Sequence, residues 1–171
     1  KCPNRRGVEE IVRHFMGTVL GWEEFVWSLR RDRVRGVWIS GGYRAPWTDE
    51  AAAEQFVELK LLVVQDLFAS PLSAMADYAL SAAAFPEREG SYVNAQERLQ
   101  PTRRAIRPPS GVRVEGGLYW ELLSRPGLYQ AREALDDVAS AIAYFRPAYA
   151  AVPDSGLEMN WQCSRSPLKP S

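Results

Sequence analysis

The chain has 171 residues, 46% of them hydrophobic, and its 21 basic and 21 acidic side chains give a formal net charge of zero. This length suffices for one domain with a real core, and two are not required. The neutral balance lacks the charge bias typical of proteins that bind nucleic acid or anionic membranes. No apolar run approaches the roughly 18–20 residues that span a bilayer, so direct membrane insertion is not expected.

The cysteine and histidine content predicts no metal centre. Cys2 and Cys163 lie near opposite ends of the chain, and neither belongs to a CxxC pair. His14, the single histidine, cannot complete a zinc set with them. We therefore expect two free thiols, with a disulfide or metal role as the alternative, and a partly exposed packing role for His14. The first residue is Lys1 rather than Met, which indicates a processed chain or a piece of a longer one.

Two amphipathic helices are predicted ahead of the first strand. Apolar residues recur in both at i, i+3, i+4 and i+7, the spacing of one helix face. These residues are Val8, Ile11, Val12 and Phe15 in the first helix and Trp22, Phe25, Val26 and Leu29 in the second. Gly17 is a plausible end for the first helix, and the second is predicted over residues 22–30. The basic cluster from Arg30 to Arg35 could contact a phosphate or an acidic partner, but we expect a solvated helix end.

A βαβ unit is predicted next. Residues 36–40 have the pattern of a strand and are followed by two glycines, and Thr48 is a candidate N-cap for a helix over residues 51–59. The aliphatic run at residues 61–64 suits a strand that is buried on both faces, as in a parallel sheet. The crossover between the two strands should be right-handed.

A short helix and a third strand should follow. Ser70 and Pro71 suit the N-cap and the first helical position, and residues 77–80 could form the strand. The predicted fold class is therefore α/β, with a parallel sheet, flanking helices and a Rossmann-like βαβ unit.

Four residues mark the edge of this sheet as the candidate site. Gly41 and Gly42 follow the first predicted strand, and Gln65 and Asp66 end the second. Ligands of open parallel sheets bind outside the carboxyl ends of the strands, where glycines allow close backbone approach. The same residues could equally serve turn formation alone, and spacing does not decide between a binding cleft and turn chemistry.

The second half of the chain is predicted to be polar first and helical later. Glu87 and Glu89 could be paired carboxylates for acid–base work, but on a loop of mixed charge we expect them to be solvated. Two helical stripes follow, one of Leu118, Tyr119, Leu122 and Leu123 and one of Leu135, Val138, Ala139, Ile142 and Phe145. Pro147 should end the second of these helices. The tail after Pro153 is expected to be poorly ordered or packed against a neighbour.

Two stretches of the chain resemble a known signature. The matching residues are Val63-Val64-Gln65-Asp66-Leu67-Phe68, Ala76-Asp77 and Ala82-Ala83, and then Glu87, Gly90, Asn94, Arg98 and Gln100. Their order and spacing resemble those of molybdopterin-dependent oxidoreductases of the dimethyl-sulfoxide-reductase type. The segment from Trp38 to Gly42 is similar to that family's strand and G-x-N-P turn, and the segment from Leu118 to Leu123 to its W-x-I/L-L helix. The resemblance covers roughly residues 30 to 145.

The chain departs from the family pattern at three positions near the candidate site. Tyr43 replaces the usual Asn, Pro71 lies in the T-E-T segment, and Ser81 replaces a proline. In cofactor-bearing members these loops approach the guanine dinucleotide, so the substitutions change both hydrogen bonding and shape. The residues also include no cysteine cluster for an iron–sulfur centre.

One branch of the family fits these departures. The segment from Asn94 to Gln100, with Glu97 where cofactor-bearing relatives have glycine, is similar to the G-type large subunit of NADH-quinone oxidoreductase, respiratory complex I. That resemblance implies a structural and interaction domain that has lost the molybdenum cofactor, with no catalytic residues and no cofactor in this part. Its partners would be the rest of the parent subunit and other subunits, in a cytoplasmic peripheral arm of a membrane-associated complex. Iron–sulfur clusters would lie only upstream.

Two alternatives remain open. In the first, the chain is the cofactor-binding part of a molybdopterin guanine dinucleotide oxidoreductase such as a formate dehydrogenase or nitrate reductase. The resemblance then implies that Gly41, Gly42, Gln65 and Asp66 line the guanine dinucleotide site, which would be vestigial in the complex I branch. In the second, the chain is a free-standing α/β domain with a small-ligand cleft at the same edge.

The domain organisation expected from these patterns has three parts. Residues 1–35 form a helical N-terminal segment, residues 36–146 a molybdopterin-oxidoreductase-like α/β domain, and residues 147–171 a C-terminal tail.

Overall fold

The computed structural model describes residues 4–31, 34–42, 47–149 and 151–159. These residues form two compact units. The first unit contains the described residues within 1–19, 89–104 and 127–171, and the second contains those within 20–88 and 105–126. Neither unit is a continuous stretch of the chain.

The chain contains both helices and strands, as the α/β class requires. The helices are α1 (Arg5–Met16), α2 (Trp22–Arg30), α3 (Glu50–Ala53), α4 (Pro71–Met75), α5 (Glu115–Leu122) and α6 (Ala131–Ala141). The strands are β1 (Gly36–Ser40), β2 (Leu61–Asp66), β3 (Tyr78–Ser81), β4 (Gly90–Val93), β5 (Arg98–Thr102) and β6 (Leu157–Glu158). Among the described residues, the helices are too short or too polar to cross a membrane.

The second unit is built on the predicted parallel sheet. Its strands run in the order β1-β2-β3, and both neighbouring pairs are parallel. Ser40 is paired with Gln65, and Asp66 is paired with Ser81, so the carboxyl ends of all three strands lie at one edge. This arrangement confirms the α/β fold class with a parallel sheet and flanking helices.

Both faces of this sheet are covered, which explains the aliphatic character of β2. Alternate residues along β1 and β2 point to opposite faces. On one face, Leu62 and Val64 join a core that includes Leu29 of α2, Phe56 and Leu72 of α4. On the other face, α5 contributes Tyr119, whose ring lies 5.5 Å from that of Trp38 and whose hydroxyl lies 2.7 Å from Ser40 Oγ.

The helix after the two-glycine turn is shorter than predicted. α3 ends at Ala53, and one 3₁₀ turn over Glu54–Phe56 continues it. Asp49, rather than Thr48, is the N-cap, because its Oδ1 accepts a hydrogen bond of 2.8 Å from Ala52 N. Phe56 ends this turn with its side chain buried in the core beside Leu62 and Val64, and residues 57–59 are not helical.

The prediction for α4 is confirmed. Ser70 is the N-cap and Pro71 the first helical residue. The Ser70 and Ser73 side chains each accept a hydrogen bond from the other's backbone amide, at 3.2 and 2.8 Å. This reciprocal cap satisfies amide groups that a free helix end would leave unpaired.

The first unit contains an antiparallel sheet that the sequence patterns did not predict. Its strands have the order β4-β5-β6. The sheet packs with α1 and α6 around Val93, Leu99, Ile142 and Phe145. The hairpin between β4 and β5 is closed by Asn94, whose Oδ1 accepts hydrogen bonds from Gln96 N and Arg98 N at 2.8 and 3.0 Å. Pairing of β6 with β5 also shows that the described part of the tail packs against a neighbour.

The last predicted helix ends earlier than its apolar stripe suggests. α6 stops at Ala141, and Ile142 has extended backbone angles of φ −113° and ψ 116°. A 3₁₀ segment, Ala143–Ala148, then places Tyr144 and Phe145 in the core. The prediction that this helix extends to Phe145 is therefore wrong. The chain bends at Ile142, and the rings of Tyr144 and Phe145 are buried beyond the bend.

A charged cluster ties the hairpin of the first unit to its helical parts. Glu97 lies in the left-handed region with φ +59°, where a residue with a side chain costs about 1–2 kcal/mol. Its carboxylate accepts a hydrogen bond from the Tyr144 hydroxyl and lies 2.9 Å from Arg6 Nε. Arg6 also pairs with Glu10 at 2.8 Å. Burial, followed by the Glu97 carboxylate, raises the pKa of Tyr144 well above its usual range.

We predict that Tyr144 makes the stability of this protein fall steeply in alkali. The phenol of the unfolded chain titrates near its usual pKa of about 10, whereas the folded state keeps its proton to higher pH. The stabilisation is therefore complete below about pH 10, and it declines above it by up to about 1.4 kcal/mol per pH unit. Urea unfolding at about pH 9 and about pH 11 should show the wild type converging on Tyr144→Phe as the pH rises.

Tyr149 of the same unit is 57% exposed and provides the control. Tyr149→Phe should follow the wild-type stability at every pH. A stability difference between wild type and Tyr144→Phe that stays constant over this range would contradict the assignment.

Candidate functional site

The structure brings three of the four predicted site residues together at the carboxyl edge of the parallel sheet. Gly41 and Gly42 follow β1 directly, and Asp66 ends β2. Gly41 N donates to Gln65 O at 2.8 Å, and Gly42 N donates to Asp66 Oδ1 at 2.9 Å. The two-glycine turn is therefore fastened to the end of β2 by both of its amides.

Asp66 holds this turn with its carboxylate. Besides Gly42 N, its Oδ1 accepts from Leu67 N at 2.7 Å, and its Oδ2 accepts from Trp47 Nε1 at 2.7 Å. Three N–H groups thus converge on one carboxylate, and such charge-assisted bonds are stronger than neutral ones. Asp66 therefore acts first as an internal anchor of the turn.

Both glycines are required by this geometry. A Cβ on Gly41 would overlap the Asp66 carboxylate. Gly42 has φ +127°, a backbone conformation that residues with side chains rarely adopt. The turn consequently presents bare main chain at the edge of the sheet.

Gln65 lies at the same edge but turns its side chain to the opposite face. The residue is fully buried, and its Nε2 donates to Arg113 O at 3.0 Å. Arg113 N in turn donates to Ser81 O at 3.1 Å. Gln65 and Ser81 together therefore hold the main chain at Arg113 beside β3. Gln65 Oε1 is buried without a hydrogen-bond partner among the described residues.

A crevice of about 210 Å³ opens beyond the ends of β2 and β3. Asp66, Phe68, Ser73 and Ser81 are among the residues that line it. Its position outside the carboxyl ends of parallel strands is the usual place for ligands of such sheets. Tyr43, which replaces the Asn usual in the family-like pattern, lies outside the described residues.

An ion pair that sequence reasoning missed lies beside the turn. Arg88 Nη1 donates to Glu115 Oε1 at 2.6 Å. Arg88 Nη2 lies 3.8 Å from the point that a Cβ on Gly42 would occupy. Glu115 begins α5, 27 positions after Arg88, and no local pattern pairs residues so far apart.

The two carboxylates that the sequence did single out have local roles. Glu87 Oε2 accepts from Ala84 N at 2.8 Å and closes its own 3₁₀ turn. Glu89 Oε1 accepts from Ala131 N at 3.1 Å, at the start of α6. In the part of the chain that the structure describes, His, Cys, Asp and Glu side chains form no group of three or more suited to a metal ion. Cys2 and Cys163 lie outside that part.

Comparison with known proteins identifies the family of this chain. Residues 22–123, well over half of the chain, match the molybdopterin oxidoreductase family. The chain belongs to this family. The matched residues include the whole parallel sheet, the two-glycine turn and the Arg88–Glu115 pair, so the candidate site lies within the shared region.

Three similar proteins are named as oxidoreductases or as subunits of them. The F420-dependent formate dehydrogenase subunit alpha of Methanocaldococcus jannaschii is 29% identical over 111 residues, which cover 61% of this chain and 16% of the relative. The NADPH-Fe(3+) oxidoreductase subunit alpha of Geobacter sulfurreducens is 29% identical over 103 residues, 58% of this chain and 12% of the relative. The assimilatory nitrate reductase of Haloferax mediterranei is 35% identical over 86 residues, 49% of this chain and 12% of the relative. The chain thus spans a small fraction of each relative's length.

The cofactor implied by the family can be tested against the residues at this edge. The turn at Gly41 and Gly42 carries no side chain, and a crevice lies next to Asp66. Arg88 supplies a cationic group beside the turn. A bare turn, an open crevice and a guanidinium fit the nucleotide end of a molybdopterin guanine dinucleotide.

Proposed function

We propose that this chain is a cofactor-binding part of a molybdopterin guanine dinucleotide oxidoreductase, such as a formate dehydrogenase or a nitrate reductase. One observation carries the proposal. Within the region shared with the family, Asp66 fastens a bare two-glycine turn at the carboxyl edge of the sheet and also lines an open crevice. Relatives with formate dehydrogenase and nitrate reductase in their names support the class of reaction.

Each residue at the edge has a distinct task in this proposal. Gly41 and Gly42 let the nucleotide end approach the main chain. The Gln65 carbonyl holds the Gly41 amide in place, and the Asp66 carboxylate holds the Gly42 amide. Gln65 braces the same edge from the opposite face through Arg113 O. When bound, the cofactor supplies electron transfer to or from the substrate through its metal. This chain's residues bind and orient the cofactor, and the whole protein would work with other subunits.

A second candidate function is a structural and interaction domain of the G-type subunit of NADH-quinone oxidoreductase, in a cytoplasmic peripheral arm. Glu97 favours it, because this position carries a charged residue although its backbone has φ +59°, a conformation suited to glycine. The bonds from Tyr144 and Arg6 to Glu97 offset that strain. In this candidate the edge at Gly41 and Gly42 is vestigial and holds no cofactor.

The cofactor content of the protein isolated from its own host distinguishes the two candidates. The first predicts stoichiometric molybdenum or tungsten by elemental analysis, a fluorescent pterin after oxidation, and guanosine monophosphate after acid hydrolysis. Protein made by the same host with tungstate in place of molybdate should exchange one metal for the other while keeping its pterin. Protein that contains no pterin and neither metal would overturn the first candidate and support the second.

A further inference from the structure

The Arg88–Glu115 pair is poorly explained as a purely structural ion pair. The two side chains are only 24% and 12% exposed. Arg88 Nε and Glu115 Oε2 are both buried, and within the described ranges neither makes a hydrogen bond. Burying a charged pair is costly, and atoms left unpaired add to that cost. Such a pair stabilises the fold little, which points to a role outside folding.

Neither Gly41 nor Gly42 offers a free main-chain donor to a ligand. Gly41 N is bonded to Gln65 O, and Gly42 N is bonded to Asp66 Oδ1. An anion that rests against these two glycines therefore needs donors other than their amides, and a side chain can supply them. Among the described residues other than its chain neighbours, the atom nearest to the missing Cβ of Gly42 is Arg88 Nη2, at 3.8 Å. Gly42 has no side chain that could occupy the space between such an anion and the Arg88 guanidinium.

The charge at the turn favours an anionic group. The Asp66 carboxylate is occupied by three N–H groups, which reduces the repulsion it exerts. The guanidinium of Arg88 uses Nη1 for Glu115 and directs Nη2 towards the turn. A guanidinium presents its donors in one plane, a geometry suited to phosphate oxygens.

We propose that Arg88 binds a phosphate of the nucleotide end of the cofactor at the Gly41–Gly42 turn, and that Glu115 is the positioning residue that holds Arg88 there. This inference rests on the proposed function, because it takes this edge of the sheet to be the nucleotide site. Glu115 fixes one half of the guanidinium fork and leaves the other half for the ligand. Loss of the carboxylate at position 115 then weakens phosphate binding without removing the charge of Arg88.

The test compares two probes that differ only in phosphate. The protein is produced in a host that makes no molybdopterin, and its affinities for guanosine 5′-diphosphate and for guanosine are measured by calorimetry. Wild type should prefer the diphosphate, and the preference should weaken as salt is raised. Arg88→Gln should lose at least about tenfold of that preference, the equivalent of one charge-assisted bond, while its affinity for guanosine stays unchanged.

Three further variants complete the design. Arg88→Lys keeps the charge but not the planar fork and should retain an intermediate preference, and Glu115→Gln should lose part of it. Arg30→Gln removes an exposed guanidinium that donates only to Gln55 among the described residues of the same unit and should behave as wild type. Arg88→Lys also decides the case if Arg88→Gln does not fold.

Two results would overturn the proposal. One is a wild-type protein that binds both probes equally or binds neither. The other is an Arg88→Gln variant that loses guanosine and the diphosphate in the same proportion, since a purely structural role has that effect. Absence of pterin from the protein of its own host would instead overturn the proposed function, and that measurement does not involve Arg88.

Discussion

Gly41→Ala will destabilise the second unit by about 2–4 kcal/mol. The added Cβ would overlap the Asp66 carboxylate, so either the turn or the carboxylate must move. Overpacking alone typically costs about 1–3 kcal/mol, and displaced charge-assisted bonds add a similar amount. The bonds at risk run from Gly42 N and Trp47 Nε1 to Asp66. Urea-induced unfolding followed by tryptophan fluorescence measures the loss.

Gly117→Ala is the matched control for this substitution. Gly117 lies inside α5, and a Cβ there would meet no atom within 4 Å. The same change should therefore stabilise the protein by about 0.5–1 kcal/mol through helix propensity. The assignment of Gly41 fails if both variants change the free energy of unfolding in the same direction. The opposite signs separate a steric requirement for glycine from a general effect of adding a methyl group.

The parallel sheet could be predicted because its signals are local. The run Leu61–Val64 is apolar without alternation, which is typical of a strand with both faces covered, and α5 and the helices opposite it do cover both faces. The two-glycine turn and the polar pair Gln65-Asp66 each follow a strand directly. Parallel pairing alone then places them at one edge.

The antiparallel sheet could not be predicted because its signals are weak and distant. β6 pairs with β5 across more than fifty residues, and it consists of Leu157 and Glu158 alone. β5 also contains Pro101, which argues against a strand in sequence. The structure tolerates it because β6 pairs only with Arg98 and Leu99, so Pro101 lies where β5 has a single partner strand.

Part of the candidate site was likewise beyond sequence reasoning. Gln65 and Asp66 are neighbours, and the period of two in a strand sends their side chains to opposite faces. Their separate tasks, a brace for Arg113 O and an anchor for the turn, depend on partners from distant segments. The pairing of Arg88 with Glu115 has the same origin, since tertiary structure alone brings them together.

The last prediction uses the two aspartates of the family-like signature, which lie at opposite ends of the same sheet. Asp66 ends β2 at the candidate site. Asp77 lies at the other end, where its Oδ2 accepts from Leu62 N at 2.7 Å. Both carboxylates accept backbone amides, so both variants to asparagine lose charge-assisted bonds. Position relative to the crevice is the property that distinguishes them.

Asp66→Asn should cost about 2–3 kcal/mol of stability and most of the bound pterin. An amide has a single acceptor oxygen, so at least one of the three N–H groups around position 66 loses its partner. In Asp77→Asn the amide oxygen can still accept from Leu62 N. This change should therefore cost about 1 kcal/mol of stability and leave the pterin content unchanged. Pterin per folded polypeptide, measured at a temperature where both variants are fully folded, makes the comparison. Equal pterin in the two variants would show that the turn anchored by Asp66 is not the cofactor site. A substitution at the far end of the sheet would then change the pterin content as much as one at the candidate site.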